Sequence, residues 1–194
     1  MPENRKPQHR IDPRKPLVLD TRELGRRPGS MRTVRLPVPA PVGLGGEMIG
    51  VPPGAELDLD LRLESVMEGV LVSGTATVPL AGECGRCLEA ISDELVVDLQ
   101  ELFAYADSTT DLTGEDDETA RMEGDFLDIE PVLRDAVVLA LPLTPLCQED
   151  CSGLCADCGG RLDDLPADHA HGAPDPRWAA LQGLTTTTEP NEEH

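Results

Sequence analysis

Aromatic side chains are nearly missing from this chain, which holds one Trp, one Tyr and two Phe in 194 residues. That leaves no row of rings on which single-stranded bases could stack, so a stacking nucleic-acid platform is excluded. No apolar run approaches the roughly 20 residues of a membrane-spanning helix. Met1 is followed by PENRKPQHRIDPRK, which has neither the apolar stretch nor the cleavage site of an export signal. The expected location is therefore cytoplasmic, with no membrane contact. A Gly-rich phosphate loop, a nucleophile elbow and an HExxH helix are all wanting, so no enzyme signature and no small-molecule substrate are expected. Positive charge is scarce after residue 35: residues 1–35 carry 10 Lys and Arg against 4 Asp and Glu, and residues 36–194 carry 6 against 33. An acidic body of this kind repels a phosphate backbone, and only the basic N-terminal stretch could touch one, through Arg22, Arg26, Arg27, Arg32 and Arg35.

What the chain does have is a cluster of soft metal ligands. Cys147, Cys151, Cys155, Cys158, His169 and His171 fall within 25 residues, and a further pair, Cys84 and Cys87, lies about sixty residues upstream in CGRCL. A reducing compartment favours thiols or metal thiolates over disulfides. Eight Cys and His ligands match two closed tetrahedral zinc sites. Cys155-Ala-Asp-Cys158-Gly-Gly is a knuckle whose glycines permit the tight turn, and His169-Ala-His171 can place two rings on one side of an extended segment. One partition pairs Cys155, Cys158, His169 and His171 in one site and Cys84, Cys87, Cys147 and Cys151 in the other. A rival partition uses Cys147, Cys151, Cys155 and Cys158 alone, for one Zn2+ instead of two. Closed shells leave no ligand position for water, which argues against hydrolysis. A thiol redox role would place CxxC at a strand-to-helix junction, whereas here it lies between two strand patterns.

The periodicity predicts an α+β fold: an antiparallel, barrel-like β-sheet with one buried helix and a C-terminal zinc-ribbon-like segment. Met31–Pro39 reads as a strand confined to a sheet edge by Pro37 and Pro39. Glu56–Glu64 alternates leucine with charge, and Val70–Leu80 and Ile91–Phe103 repeat the alternation, so these three form a meander. GLGG at 43–46 and VPPG at 51–54 mark turns, and Asp20 or Thr21 is placed to cap a brief helix through Gly25. Asp128 is placed to cap a helix running to Leu141, with Pro131 in its first turn and apolar residues around nearly the whole cylinder, which predicts burial on all sides. A further short helix is expected at 176–184 around Trp178. The resulting organisation is a disordered basic arm over 1–16 and one domain over 17–184. That domain contains an acidic loop at 107–125 and a zinc-binding region at 142–172, and a disordered tail follows at 185–194.

CGRCL, FLDIEPVLRDAVVLALPLTPLC, DCSGLCADCGG and DPRWAALQGL, in that order, resemble the YceD family, the large ribosomal RNA subunit accumulation proteins. The resemblance covers residues 17–184. The family's C-terminal pattern often continues with a second cysteine pair where this chain has His169 and His171, a change that keeps metal competence. The resemblance implies a non-catalytic accessory factor supporting accumulation or processing of large-subunit (23S) ribosomal RNA. Its partner would be a ribosomal protein or a large-subunit assembly intermediate, with ribosomal RNA contact direct or indirect. The alternatives are a zinc-dependent nucleic-acid-binding regulator and a thiol redox factor.

Overall fold

The computed structural model describes residues 11–108, 120–171 and Arg177. The first ten residues of the basic arm, the middle of the acidic loop, the tail, and the expected helix at 176–184 apart from Arg177 lie outside the described residues. The chain divides into two compact units, residues 1–151 and 152–194. No described helix is long and apolar enough to cross a membrane.

In the first unit the alternating sequences become a five-stranded antiparallel sheet. Its strands are β2 (Met31–Pro39), β3 (Ile49–Gly50), β4 (Glu56–Ser65), β5 (Gly69–Glu83) and β6 (Ala90–Ala104), with β1 (Val18–Asp20) and β7 (Phe126–Asp128) forming a separate two-stranded ladder. β5 is central. It pairs along all fifteen residues with β6 on one side, and on the other with β4 and then the short β3. Pro79 lies between the β4 and β3 ladders, where a ladder N–H is missing. Leu57, Leu59, Leu61 and Leu63 are buried on the inner face of β4 while Asp58, Asp60 and Arg62 face water. Each fully buried leucine contributes about 2 kcal/mol through removal of apolar surface from water. Gly74 is required where β5 passes β4: its φ is +151°, and a Cβ there would lie 2.1 Å from the Asp60 carbonyl oxygen.

The expectation of a barrel fails. Among the described residues β2 pairs with no strand but β4, and β6 with no strand but β5 apart from a single bridge at Ala104, so the sheet is open at both ends. Closure would require the edge at β2 to accept another strand, and the even residues of β2 face β4, which leaves Pro37 and Pro39 pointing outward without an N–H to donate. The brief helix through Gly25 is also absent. A single turn stands there, closed by the Leu24 N–H to the Thr21 carbonyl at 2.9 Å.

The helix α1 spans Glu130–Ala140, shorter than the expected 128–141. Ile129 takes the N-cap position, and Asp128 acts one residue earlier, its carboxylate accepting the Glu130 N–H at 2.9 Å. Burial on all sides also fails. Ile129, Leu133 and Val137, spaced four apart, form the buried stripe and join the sheet core with Leu99 and Phe103, whereas Leu139 is 86% exposed and Val138 47%. The apolar residues encircle the helix, but only one stripe has a sheet to meet. The C-terminal end of the acidic stretch is held against the sheet: Met122 is buried, and the Ala104 N–H and carbonyl bond to Ala120 and Met122 at 2.9 Å.

A substitution pair separates the two faces of α1. Val137→Asp places a charge where no water reaches, and should lower the unfolding free energy measured by urea titration by several kcal/mol or prevent folding. Leu139→Asp should change stability by no more than about 0.5 kcal/mol. Equal losses in the two variants would mean that the exposed face is covered.

Candidate metal centres

The connection between β5 and β6 is the first metal-ligating turn. Cys84 and Cys87 are held by two backbone bonds, Cys84 N–H to the Glu89 carbonyl at 2.8 Å and Leu88 N–H to the Cys84 carbonyl at 2.9 Å. The turn demands a positive φ at Leu88, which adopts +61° although it is not glycine. Two further contacts tie this turn to the segment leaving α1. The Gly85 N–H donates to the Pro145 carbonyl at 2.8 Å, and the Arg86 guanidinium donates to the Cys151 carbonyl at 2.8 Å. A side chain at 85 would crowd Thr144, whose Cγ2 lies 3.0 Å from the place a Cβ would occupy.

These bonds bring four sulfurs together. Cys84 and Cys151 are 3.8 Å apart at Sγ, Cys87 and Cys147 are 3.5 Å apart, and all four lie within 4.8 Å of one another. Thiolates bound at about 2.3 Å to a tetrahedral metal have edges of about 3.8 Å, so the spacing fits a closed four-sulfur shell. Burial drives the Cys84 thiol up, yet the N–H groups of Arg86, Cys147 and Cys87 and the Cys87 side chain outweigh it and hold the thiol down at about 6. Cys147 is pushed up to about 12, first by its hydrogen bond with Cys87, then by desolvation and by the sulfurs of Cys151 and Cys84. Without a cation, negative charge at one sulfur suppresses ionisation of its neighbours.

The second unit repeats the turn. The Cys155 N–H donates to the Gly160 carbonyl and the Gly159 N–H to the Cys155 carbonyl, both at 2.8 Å, with Gly159 at φ +70°. A bridge between Leu154 and Arg161 closes this small hairpin, and a 3-10 turn at Leu162–Asp164 leads toward the histidines. His169 Nε2 lies 3.6 Å from Cys158 Sγ and 2.8 Å from His171 Nε2, with the two rings edge to face. Cys155, Cys158, His169 and His171 form the second group whose ligand atoms all lie within 4.8 Å. The N–H groups of Cys158 and Asp157, then the His169 ring, hold the Cys155 thiol down at about 6 against desolvation.

The geometry thus brings the eight sequence-predicted ligands together as two groups of four, which are the sets of the two-site partition. Each group could hold a metal ion. All six cysteines are free of disulfides. The five arginines gather at no comparable site. Arg22 pairs with Asp20, Arg26 with Asp107 at 3.4 Å while lying over Tyr105, Arg32 with Glu23 at 3.0 Å, and Arg35 with its cross-strand neighbour Asp60 at 2.9 Å. Arg27 is exposed and has no carboxylate within ion-pair distance among the described residues. Two contributors escaped the sequence reading. Arg86 sits inside the CxxC and carries no signal of its reach to Cys151. Pro145 contributes a backbone carbonyl, which no side-chain pattern can announce.

Comparison with known proteins points to one family. The YceD family, described as large ribosomal RNA subunit accumulation protein, matches residues 72–185. An uncharacterised protein of Mycobacterium tuberculosis is 49% identical over 166 residues, 86% of this chain and 80% of that one. Another from Mycobacterium leprae is 42% identical over 175 residues, covering 90% and 80%. The uncharacterised protein YlbN of Bacillus subtilis is 27% identical over 126 residues, covering 64% and 69%. No solved structure matches the chain significantly.

The thiol environments predict an order of reactivity opposite to that of exposure. In chain stripped of metal and kept reduced near neutral pH, alkylation followed by mass spectrometry should mark Cys155 faster than Cys147, although Cys147 is the more exposed. Faster labelling at Cys147 would show that the donor network does not set the thiolate population.

Proposed function

The chain belongs to the YceD family of large ribosomal RNA subunit accumulation proteins, and we propose that it is a non-catalytic, zinc-bound accessory factor of large-subunit biogenesis. The family is described by an accumulation role and not by a reaction. The observation that carries the reading is the pair of four-ligand clusters, each built on a CxxC turn closed by the same two backbone bonds. Four-sulfur and two-sulfur, two-nitrogen tetrahedral donor sets suit zinc. Cys84, Cys87, Cys147 and Cys151 would hold one ion, and Cys155, Cys158, His169 and His171 the other. When bound, the ion supplies a cross-link of about 10 kcal/mol and no reactive position, because four protein ligands close the shell.

The partner class is read from charge. A body with a large acidic excess is repelled by ribosomal RNA and attracted to basic ribosomal proteins. Four of the five candidate phosphate-binding arginines already face carboxylates. Those exposed pairs are screened by water and salt and are readily exchanged for phosphate, so they weaken an RNA-binding role without forbidding it. The working compartment under this reading is the cytoplasm, where ribosomes assemble and where unbound thiols stay reduced.

Metal content and cellular RNA provide the tests. Protein purified under reducing conditions without chelator should carry close to one zinc ion at each of the two clusters. Cys155→Ser should lose one of them, and the double variant His169→Ala, His171→Ala should lose that same ion, so combining all three changes costs no more than either set alone. Additive losses would separate the histidines from that shell. Removing the chain from its cell should lower large-subunit ribosomal RNA relative to small-subunit RNA, and a Cys84→Ser copy should fail to restore it. Normal large-subunit RNA without the chain would overturn the reading. Restoration that depends steeply on the basic arm and on salt-sensitive RNA binding would instead favour direct contact with phosphate.

A further inference from the structure

The two edges of the five-stranded sheet are unlike. On β2 the odd residues point their backbone groups away from β4, and two of the five are Pro37 and Pro39, which have no N–H. That edge is guarded against further pairing in a common way. β6 carries no proline and no glycine along its fifteen residues. Its odd residues face β5, as the Tyr105 N–H to Glu68 bond beyond the strand end fixes, so the even residues direct N–H and C=O outward.

Ala104 already uses this outward side, in a parallel bridge with Arg121 formed by bonds to Ala120 and Met122. The outward N–H of Glu94 is covered by the Asp93 carboxylate at 2.8 Å. At Ser92, Val96, Asp98 and Gln100 the outward groups have no backbone partner among the described residues. Their side chains are exposed, Val96 by 58%.

Charge then selects the occupant. Asp93, Glu94, Asp98 and Glu101 lie on β6, and the chain has no Lys or Arg from residue 87 to residue 120. Two copies pairing antiparallel about Val96 would set Glu94 opposite Asp98 twice, an unfavourable arrangement that disfavours self-association. A strand of opposite charge meets the reverse condition. We infer that the free edge of β6 is a docking site for an extended basic polypeptide segment, which adds to the sheet as a further strand. The chemistry is specific. Glu94, Val96 and Asp98 alternate on the outer face, so the matching strand carries a basic residue, an apolar residue and a basic residue at every second position, with backbone bonds supplying affinity and these three side chains supplying choice. This deepens the proposed function by naming the chemistry of the protein partner, and rests on that reading for its biological setting.

The test uses the full, metal-loaded chain and a labelled peptide, Thr-Lys-Thr-Val-Thr-Lys-Thr. The peptide should bind, slow amide exchange at Val96 and Asp98, and lose binding when its backbone is N-methylated at alternate residues, which leaves charge intact and removes pairing. Val96→Pro deletes an outward N–H without touching the β5 ladder. It should weaken binding about tenfold or more while the unfolding midpoint and metal content hold. A charge exchange serves as the second variant: Asp98→Lys should weaken the lysine peptide about tenfold and favour its glutamate counterpart. Undiminished binding of the N-methylated peptide, protection away from β6, or indifference to both variants overturns the inference. So does a concentration-dependent dimer abolished by Val96→Pro, which would make a second copy the occupant. Normal large-subunit RNA in cells lacking the chain overturns the ribosomal reading alone and leaves the peptide result standing.

Discussion

The pairing of β5 with β6 holds the first unit together and positions its metal ligands. Fifteen residues on each side pair without a break in register, from Gly69 with Ala104 to Glu83 with Ala90. One face of this ribbon supplies Val70, Val72, Ala76, Val78, Val97, Leu99 and Phe103 to the core, and α1 packs against β6. The connection at its end is the CxxC turn itself, so register fixes where Cys84 and Cys87 emerge. A slip of one residue would turn the whole apolar set outward and would also rotate the cysteines away from Cys147 and Cys151.

Much of this was legible in the sequence because the alternation is clean. The run ELDLDLRLE has one apolar face, and its neighbours at 70–80 and 91–103 differ from the observed β5 and β6 only by a few residues at each end. What escaped depends on contacts far apart along the chain. β1 and β7 are three residues each and pair across more than a hundred residues, and β3 is two residues long. No periodicity exists over such lengths. The one-sided burial of α1 has a related cause: Leu139 and Val138 are apolar, but whether an apolar face meets anything is set by how many layers the fold provides.

The metal ligands show the same division between local and distant information. CxxC spacing identifies a turn, because a turn is local, and both turns are there. Which four ligands share a site is set by three-dimensional return of the chain, and several sets of four satisfy a tetrahedron equally well on paper. The decision comes from contacts such as the Gly85 N–H to Pro145 and Arg86 to the Cys151 carbonyl, which draw the segment after α1 against the hairpin.

The two turns also differ in a way that reveals what shapes each. Their backbone bonds correspond, but the residue that must adopt positive φ is Gly159 in one and Leu88 in the other. A leucine in that conformation costs about 1–3 kcal/mol and persists only where the surroundings over-determine it. At Leu88 they do: a long ladder enters the turn on both strands and two bonds fasten it to the segment after α1. Around Gly159 the supporting ladder is a single bridge between Leu154 and Arg161, too little to impose strain, and glycine removes the need. The first cluster is therefore shaped largely by the sheet before any ion arrives, whereas the second has more of its order left for a metal to supply.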